Sequence, residues 1–253
     1  MRYHLTESYL LNPTHRVTVN LVGCGGTGSQ VLSGLARLNE SLIGLGHPGM
    51  LVTVWDDDVV TESNVGRQLF SPADIGLNKA AISVTRVNRF FGYDWIAVPK
   101  KYSPTKSEKS QANITITCVD TIEARLRVRT TFKNVKDIEP NERALYWMDF
   151  GNSQKTGQVI LGTTAPITNK DKSHVPVLPD VFDKFPQLRR RKDKDTGPSC
   201  SLAQALGKQD LFINSTLAQL GLNILWKMFR EGRLAYHGAF LNLDTMNVNP
   251  VKI

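Results

Sequence analysis

"RVTVNLVGCGGTGSQVLSGLARLNESL" occupies residues 16–42 and decides the fold. Its first part, "RVTVNLVG" (16–23), is a β-rich run ending in glycine. "TGSQVLSGLARLNESL" (27–42) then changes period and places Val31, Leu32, Leu35 and Leu38 on one helical face. Gly23, Gly25 and Gly28 between them satisfy G-x-G-x-x-G in a strand–turn–helix context, and Gly26 adds a fourth glycine. Such a turn lets backbone N–H groups approach a phosphate at the helix N-terminus. A bland alternative stays open, since glycine-rich turns also serve close packing of strand on helix.

The next strand is "GMLVTVWD" (49–56), and Asp56 closes it where an acidic residue grips ribose hydroxyls. Asp56 lies 28 residues after Gly28, beyond the spacing of about 20 counted from the usual motif. The surplus falls in "NESLIGLGHPGM". Asp57 and Asp58 follow as either ligands or a solvated loop. Beyond them, "DDDVVTESNVGRQLF" (56–70) supplies Asn64, Arg67 and Gln68, and Lys79 begins the helix expected over 77–91. A guanidinium is permanently charged and binds two oxygens at once, so it suits phosphate. Asn64 can bind phosphate or position its own loop. Surface exposure is the ordinary fate of one Arg or Lys, but four donors in sixteen residues after a ribose-type Asp point to a run of phosphates.

Further strands are expected at 95–102, 113–120, 143–151 and 156–164, with a helix at 121–132. Asp120, at the carboxyl edge of its strand, can hold Mg²⁺ on a triphosphate or cap the following helix. From 165 to 200 five prolines (Pro166, Pro176, Pro179, Pro186, Pro198) and mixed charge replace periodicity, giving a long crossover loop. A single helical stretch over about 201–230 follows, with Leu217, Leu220, Ile224, Leu225 and Met228 on one face. A β-hairpin over 233–253, turning near 244–247, closes the chain. The expected class is α/β: a Rossmann-like, doubly wound, mostly parallel sheet with a long crossover loop, a C-terminal helix and a closing β-hairpin. We read residues 1–253 as one domain, with its nucleotide-binding core at 16–164.

Composition fits that reading. The chain is 41% hydrophobic and 21% charged, no apolar run nears the ~20 residues of a membrane span, and the N-terminus lacks a secretory leader. We expect a cytoplasmic protein. Cys24, Cys118 and Cys200 form no C-x-x-C pair, which argues against a disulfide framework and a structural zinc site. The charge of +8 comes largely from "KK" at 100–101 and "RRRKDK" at 189–194. Without interleaved aromatics these read as a solvated face or a site for an acidic protein, not for nucleic acid.

Taken in order, Gly23-x-Gly25-Gly26-x-Gly28, Asp56-x-Asp58, Ser63-Asn64-x-x-Arg67-Gln68, Lys79, and Asp120 with Arg125 resemble the adenylation domain of the ThiF/MoeB proteins and ubiquitin-activating enzymes. The likeness spans about 16–230. "HPG" (47–49), "NVGRQLF", "RVNRFFG" and "PSCSLAQAL…QDLF" look like a bacterial subgroup of that family. The resemblance implies a homodimer, ATP and Mg²⁺, and a ubiquitin-like protein whose C-terminal glycine is joined to AMP. It implies that Gly23, Gly25, Gly26 and Gly28 cradle the nucleotide and that Asp56, with Asp58 beside it, holds the ribose. Asn64, Arg67, Gln68 and Lys79 would hold phosphates, Arg67 and Lys79 acting in catalysis, and Asp120 would bind the metal.

Four departures stand out. Thr121 replaces the usual Asn after the metal-binding Asp; paired zinc cysteines are missing; the usual N-terminal arginine that reaches across the dimer has no clear match, Arg2 and Arg16 being no more than candidates; and no rhodanese-like or ubiquitin-fold extension is expected after the core. Cys200 aligns with the family's acceptor cysteine and precedes a helix that would lower its pKa, so it is the expected thioester nucleophile, with transfer to a conjugating enzyme. A buried structural cysteine is the competing reading. Competing functions are adenylation of a sulfur-carrier protein, a small carboxylate or an RNA group, a non-catalytic nucleotide-sensing scaffold, and an NAD(P)-dependent oxidoreductase, which the glycine motif and Asp56 alone would allow.

Overall fold

A computed structural model describes residues 2–103, 111–132, 143–190 and 202–253. The chain begins with β1 (His4–Leu5), α1 (Ser8–Leu11), β2 (Val17–Val22), α2 (Gly26–Gly44), β3 (Met50–Trp55), α3 (Lys79–Phe91) and β4 (Ile96–Val98). It continues through β5 (Ile114–Thr117), α4 (Ile122–Thr131), β6 (Tyr146–Asn152), β7 (Thr156–Thr163), α5 (Val181–Lys184), α6 (Leu202–Lys208) and α7 (Ile213–Glu231). It ends with β8 (Arg233–Leu234), β9 (Tyr236–Asn242) and β10 (Asn247–Lys252).

One eight-stranded sheet runs β10-β9-β7-β6-β5-β2-β3-β4. The run β4-β3-β2-β5-β6 is parallel, and β7, β9 and β10 continue it antiparallel. Strand order reverses around β2, which therefore lies between β3 and β5 at the crevice where open α/β sheets bind ligands. The alternation on β6 shows why both faces are covered. Tyr146, Met148 and Phe150 join the larger core with α2, α3 and α7. Trp147 points the other way, into a second core with Ile122, Val128, Val181 and Phe182. The expected class is what the chain adopts.

On the larger-core face α2 and α7 pack closely. A Cβ at Gly34 would stand 2.0 Å from Leu222 Cδ1, so a larger residue there would have to displace the Leu222 side chain. Among the described residues no helix is long and apolar enough to cross a membrane.

Three expectations need correction. The helical stretch at 201–230 is two helices, α6 and α7, separated at 209–212. Apolar spacing alone does not mark this break. Asp210 Oδ1 accepts the Phe212 N–H at 3.0 Å, and Asp210 N–H reaches Gln154 O at 2.8 Å, so backbone donors leave the helical ladder there. Arg233–Leu234 does not extend the hairpin but pairs with β1. The part of the crossover at 165–190 is not structureless: it contains α5, capped by Asp180 Oδ1 on the N–H groups of Phe182 and Asp183. The closing hairpin β9–β10 stands where it was expected, with Met246 at φ 54° in its turn.

Candidate functional site

The site is built outward from the turn between β2 and α2. Gly23 has φ 90°, and a Cβ on Gly28 would lie 1.9 Å from Gly23 O. Both glycines are therefore demanded by the turn itself. Gly26 has a different reason: a Cβ there would meet Asn214 Nδ2 at 2.6 Å, so packing against α7 explains it. Gly25 is the open one; the nearest atoms to a Cβ would be Gln68 Oε1 and Nε2 at 3.8 and 3.9 Å. Gly25 is also the N-cap of α2. It offers no side-chain cap, and no acidic residue occupies the first turn, which leaves the positive end of the helix facing the crevice.

Asp56 ties β3 to this turn. Its Oδ2 accepts the Cys24 N–H at 2.5 Å and its Oδ1 the Asp58 N–H at 2.9 Å. Burial pushes its carboxyl above the ordinary range, against the pull of those two donors. Cys24 turns into the core, where burial pushes its thiol up to about 12. Cys118 packs against the same core and is raised by burial as well.

The segment after β3 folds back over the N-terminus of α2 as a strap. Its 3₁₀ turn at Glu62–Asn64 is closed by Asn64 Oδ1, which accepts the Thr61 N–H at 2.9 Å, so the amide oxygen of Asn64 positions the loop. Leu69 N–H reaches Ser29 Oγ at 3.4 Å, and the Arg86 guanidinium holds Asp74 at 2.5 Å. Gln68 is brought beside Gly25, with Oε1 buried and without a hydrogen-bond partner among the described residues. Arg67 donates Nη1 to Gln209 Oε1 at 2.6 Å, while its buried Nε likewise lacks a partner. Burial pulls the Arg67 guanidinium below its ordinary value. Lys79 opens α3 and is only 7% exposed; its Nζ sits 2.9 Å from Asp58 Oδ2.

Asp120 is exposed just beyond β5. It does not cap α4. Thr121 does, its Oγ1 accepting the Ala124 N–H at 3.2 Å, so the residue that departs from the family pattern has a helix to begin. Behind it, Arg125 Nη2 donates to Val119 O at 2.8 Å and Phe150 O at 3.0 Å, and its Nε pairs with buried Asp149. That anchor fixes the backbone carrying Asp120. Asp56, Asp57 and Asp58 form a second acidic group with carboxylate oxygens within 4.8 Å of one another. Arg16 is bonded to Asp94 within the chain. Cys200 lies outside the described residues, as do 191–194 of the basic run.

The structure adds residues absent from the sequence reading: Gln209, Asn214, Asn152 and Thr27. Asn214 Oδ1 accepts from Thr27 Oγ1 at 2.8 Å and from Asn152 Nδ2 at 3.3 Å. Its Nδ2 donates to Gln209 Oε1 at 3.0 Å. Gln209 and Asn214 stand more than a hundred residues from the glycine turn and the strap, Asn152 ends β6, and Thr27 lies inside the turn itself.

A glycine turn at a sheet crevice, an acid at the end of the next strand and a strap carrying Arg67 over the helix N-terminus meet on a doubly wound α/β fold. The chain belongs to the ThiF family, whose model matches residues 10–253. It is 26% identical over 156 residues to ubiquitin-like modifier-activating enzyme 5 of Arabidopsis thaliana, covering 54% of this chain and 32% of that protein. It is 32% identical over 121 residues to ubiquitin-activating enzyme E1 1 of Candida albicans (strain WO-1), covering 44% of this chain and 11% of that one. The chain thus matches a third or less of each relative's length. Among solved structures it superposes on selenomethionine PaaA with a TM-score of 0.62 at 16% identity, over 94% of this chain and 64% of that one, which is a likeness of fold.

Proposed function

We propose that the protein is an E1-like adenylating enzyme that joins the C-terminal glycine carboxylate of a ubiquitin-like protein to AMP, acting as a cytoplasmic homodimer. The observation that carries this reading is the pair of buried, unpartnered polar atoms, Arg67 Nε and Gln68 Oε1, beside the uncapped N-terminus of α2. Buried polar atoms normally find partners. The Nε–H of a guanidinium left so at a helix N-terminus fits a phosphate oxygen, while the amide oxygen of Gln68 only accepts and fits a donor such as a nucleotide hydroxyl. Lys79 and the open face of Gly25 extend the same cradle, and Asp56 stands where a ribose would lie. A dinucleotide-dependent oxidoreductase accounts for the glycines and Asp56 but not for Arg67, Gln68, Lys79 and Asp120 together.

In this reading a substrate carboxylate oxygen attacks the α-phosphorus, the bond from that phosphorus to the β-phosphate oxygen breaks, and pyrophosphate leaves with the electron pair. The attacking group is already ionised at neutral pH, so the protein needs no general base. Arg67, Gln68, Asn64 and Lys79 hold the phosphates in line and neutralise their charge. Asp120 would hold Mg²⁺, which supplies further charge neutralisation on the phosphate oxygens. Cys200 would then take the acyl group as a thioester, the thiolate displacing AMP, before transfer to a conjugating enzyme.

ATP–pyrophosphate exchange tests the reading. It should appear only when a ubiquitin-like protein ending in glycine is added. Exchange that needs no such partner, or calorimetric binding of NAD in place of ATP, overturns it. Cys200→Ala should keep exchange and lose a thiol-sensitive covalent adduct; an undiminished adduct removes the nucleophile role.

A further inference from the structure

We infer that Gln209, oriented by Asn214, is a positioning residue for the phosphate-binding face of Arg67. The inference rests on the ATP reading of the site and names the residues that hold its guanidinium. Gln209 Oε1 accepts two hydrogen bonds, from Arg67 Nη1 at 2.6 Å and from Asn214 Nδ2 at 3.0 Å. A guanidinium only donates, so the Gln209 atom facing Arg67 is its oxygen, and Asn214 meets that oxygen with Nδ2. Asn214 Oδ1 then accepts from Thr27 Oγ1 at 2.8 Å and from Asn152 Nδ2 at 3.3 Å. The relay therefore has one polarity, set by Arg67, and Asn214 with its partners on α2 and β6 holds the oxygen of Gln209 against one edge of that guanidinium. The opposite edge, with Nε buried and unpartnered, is left for an anion.

Gln209 follows α6 directly, its N–H reaching Ala205 O at 3.1 Å, and α6 packs on the 3₁₀ turn Glu62–Asn64 that precedes Arg67. Neutral glutamine suits the task better than an acid. A carboxylate would grip the guanidinium equally well, but its charge would offset the one that phosphate requires.

Binding of ATP and of adenosine by the full chain, measured by calorimetry, separates positioning from mere structure. Gln209→Ala should weaken ATP about tenfold, the loss of one hydrogen bond to a charged group, and leave adenosine unchanged because adenosine carries no phosphate. Gln209→Glu keeps the acceptor for Asn214 and Arg67 and should bind ATP more weakly than Gln209→Ala. A purely structural bridge predicts the reverse, with glutamate restoring wild-type affinity, and that result overturns the inference. Equal losses for ATP and adenosine overturn it too. In the background of Arg67→Ala, adding Gln209→Ala should change ATP affinity no further; additive losses would show that Gln209 acts apart from Arg67. Wild-type protein that fails to bind ATP refutes the functional reading itself, whereas ATP binding indifferent to Gln209 refutes only the relay.

Discussion

The seam between β1 and β8 and the turn between β2 and α2 both bury polar side chains, and they treat them in opposite ways. At the seam His4 Nδ1 meets Val175 O at 2.7 Å and His4 Nε2 meets Tyr146 Oη at 2.9 Å. His174 Nδ1 accepts the Leu5 N–H at 3.0 Å, and its Nε2 reaches Ile167 O at 2.7 Å. Each ring has a donor side and an acceptor side, so each is held as one neutral tautomer. At the glycine turn, Arg67 and Gln68 each keep one buried polar atom without a partner among the described residues. The filled bonds of His4 and His174 hold elements together, while the open atoms beside α2 are, in the proposed function, those that meet a ligand. Substitutions should therefore move stability at the seam and ligand binding at the turn.

The largest stability effect is expected where the turn is itself structural. Gly28→Ala drives a Cβ to 1.9 Å from Gly23 O and should destabilise by about 3 kcal/mol or more, or prevent folding. Gly25→Ala, whose Cβ meets only Gln68 at 3.8 Å, should unfold within about 1 kcal/mol of wild type yet bind ATP poorly. Urea unfolding with ATP calorimetry on both variants checks this. Equal stability losses would erase the distinction drawn within the turn.

The seam should respond to pH. Burial, with His174 and His237 nearby, lowers His4 from 6.5 to about 4, against the pull of the Val175 carbonyl. The unfolded chain then binds a proton more readily than the folded one between those values, so stability rises with pH across the window. Acidification from pH 6.5 to 4 should thus remove about 3 kcal/mol on this account alone. His237, also lowered by burial, acts in the same direction. His4→Gln should flatten the slope of unfolding free energy against pH; an unaltered slope would mean that His4 does not carry it. Tyr146→Phe strands both His4 Nε2 and the Glu7 N–H, which donates to Tyr146 Oη at 3.1 Å, and should cost about 1–3 kcal/mol at pH 7 with ATP affinity unchanged.

Much of this contrast was legible in residues 16–80. Strand–glycine–helix periodicity, Asp56 at a strand end and the run through Lys79 are local signals, and the chain forms them locally. Gln209 and Asn214 were not legible because their meaning depends on residues brought together by the whole sheet. Asn214 packs on Gly26 from more than a hundred and eighty residues away, and only tertiary structure shows that the fourth glycine makes room for it. The break before α7 escaped for a related reason: its apolar face continues across 209–212, while the interruption is written in side-chain-to-backbone bonds. The seam escaped as well, since His4 and His174 share no spacing in the sequence.

The smallest stability effect expected is that of Asp120, and it separates two roles that the sequence left together. Thr121 Oγ1 caps α4 through the Ala124 N–H, so Thr121→Ala should lose about 1 kcal/mol of stability and retain nucleotide exchange. Asp120 is exposed and free of that duty, so Asp120→Asn should shift the unfolding free energy by less than about 0.5 kcal/mol. A carboxylate that holds Mg²⁺ is different: its neutral isostere keeps shape and loses charge, so exchange should collapse and the Mg²⁺ concentration needed for ATP binding should rise. If Asp120→Asn unfolds early and exchanges normally, Asp120 is a helix-end residue after all. The metal would then have to be sought at Asp56, Asp57 and Asp58, whose carboxylates already stand within 4.8 Å of one another.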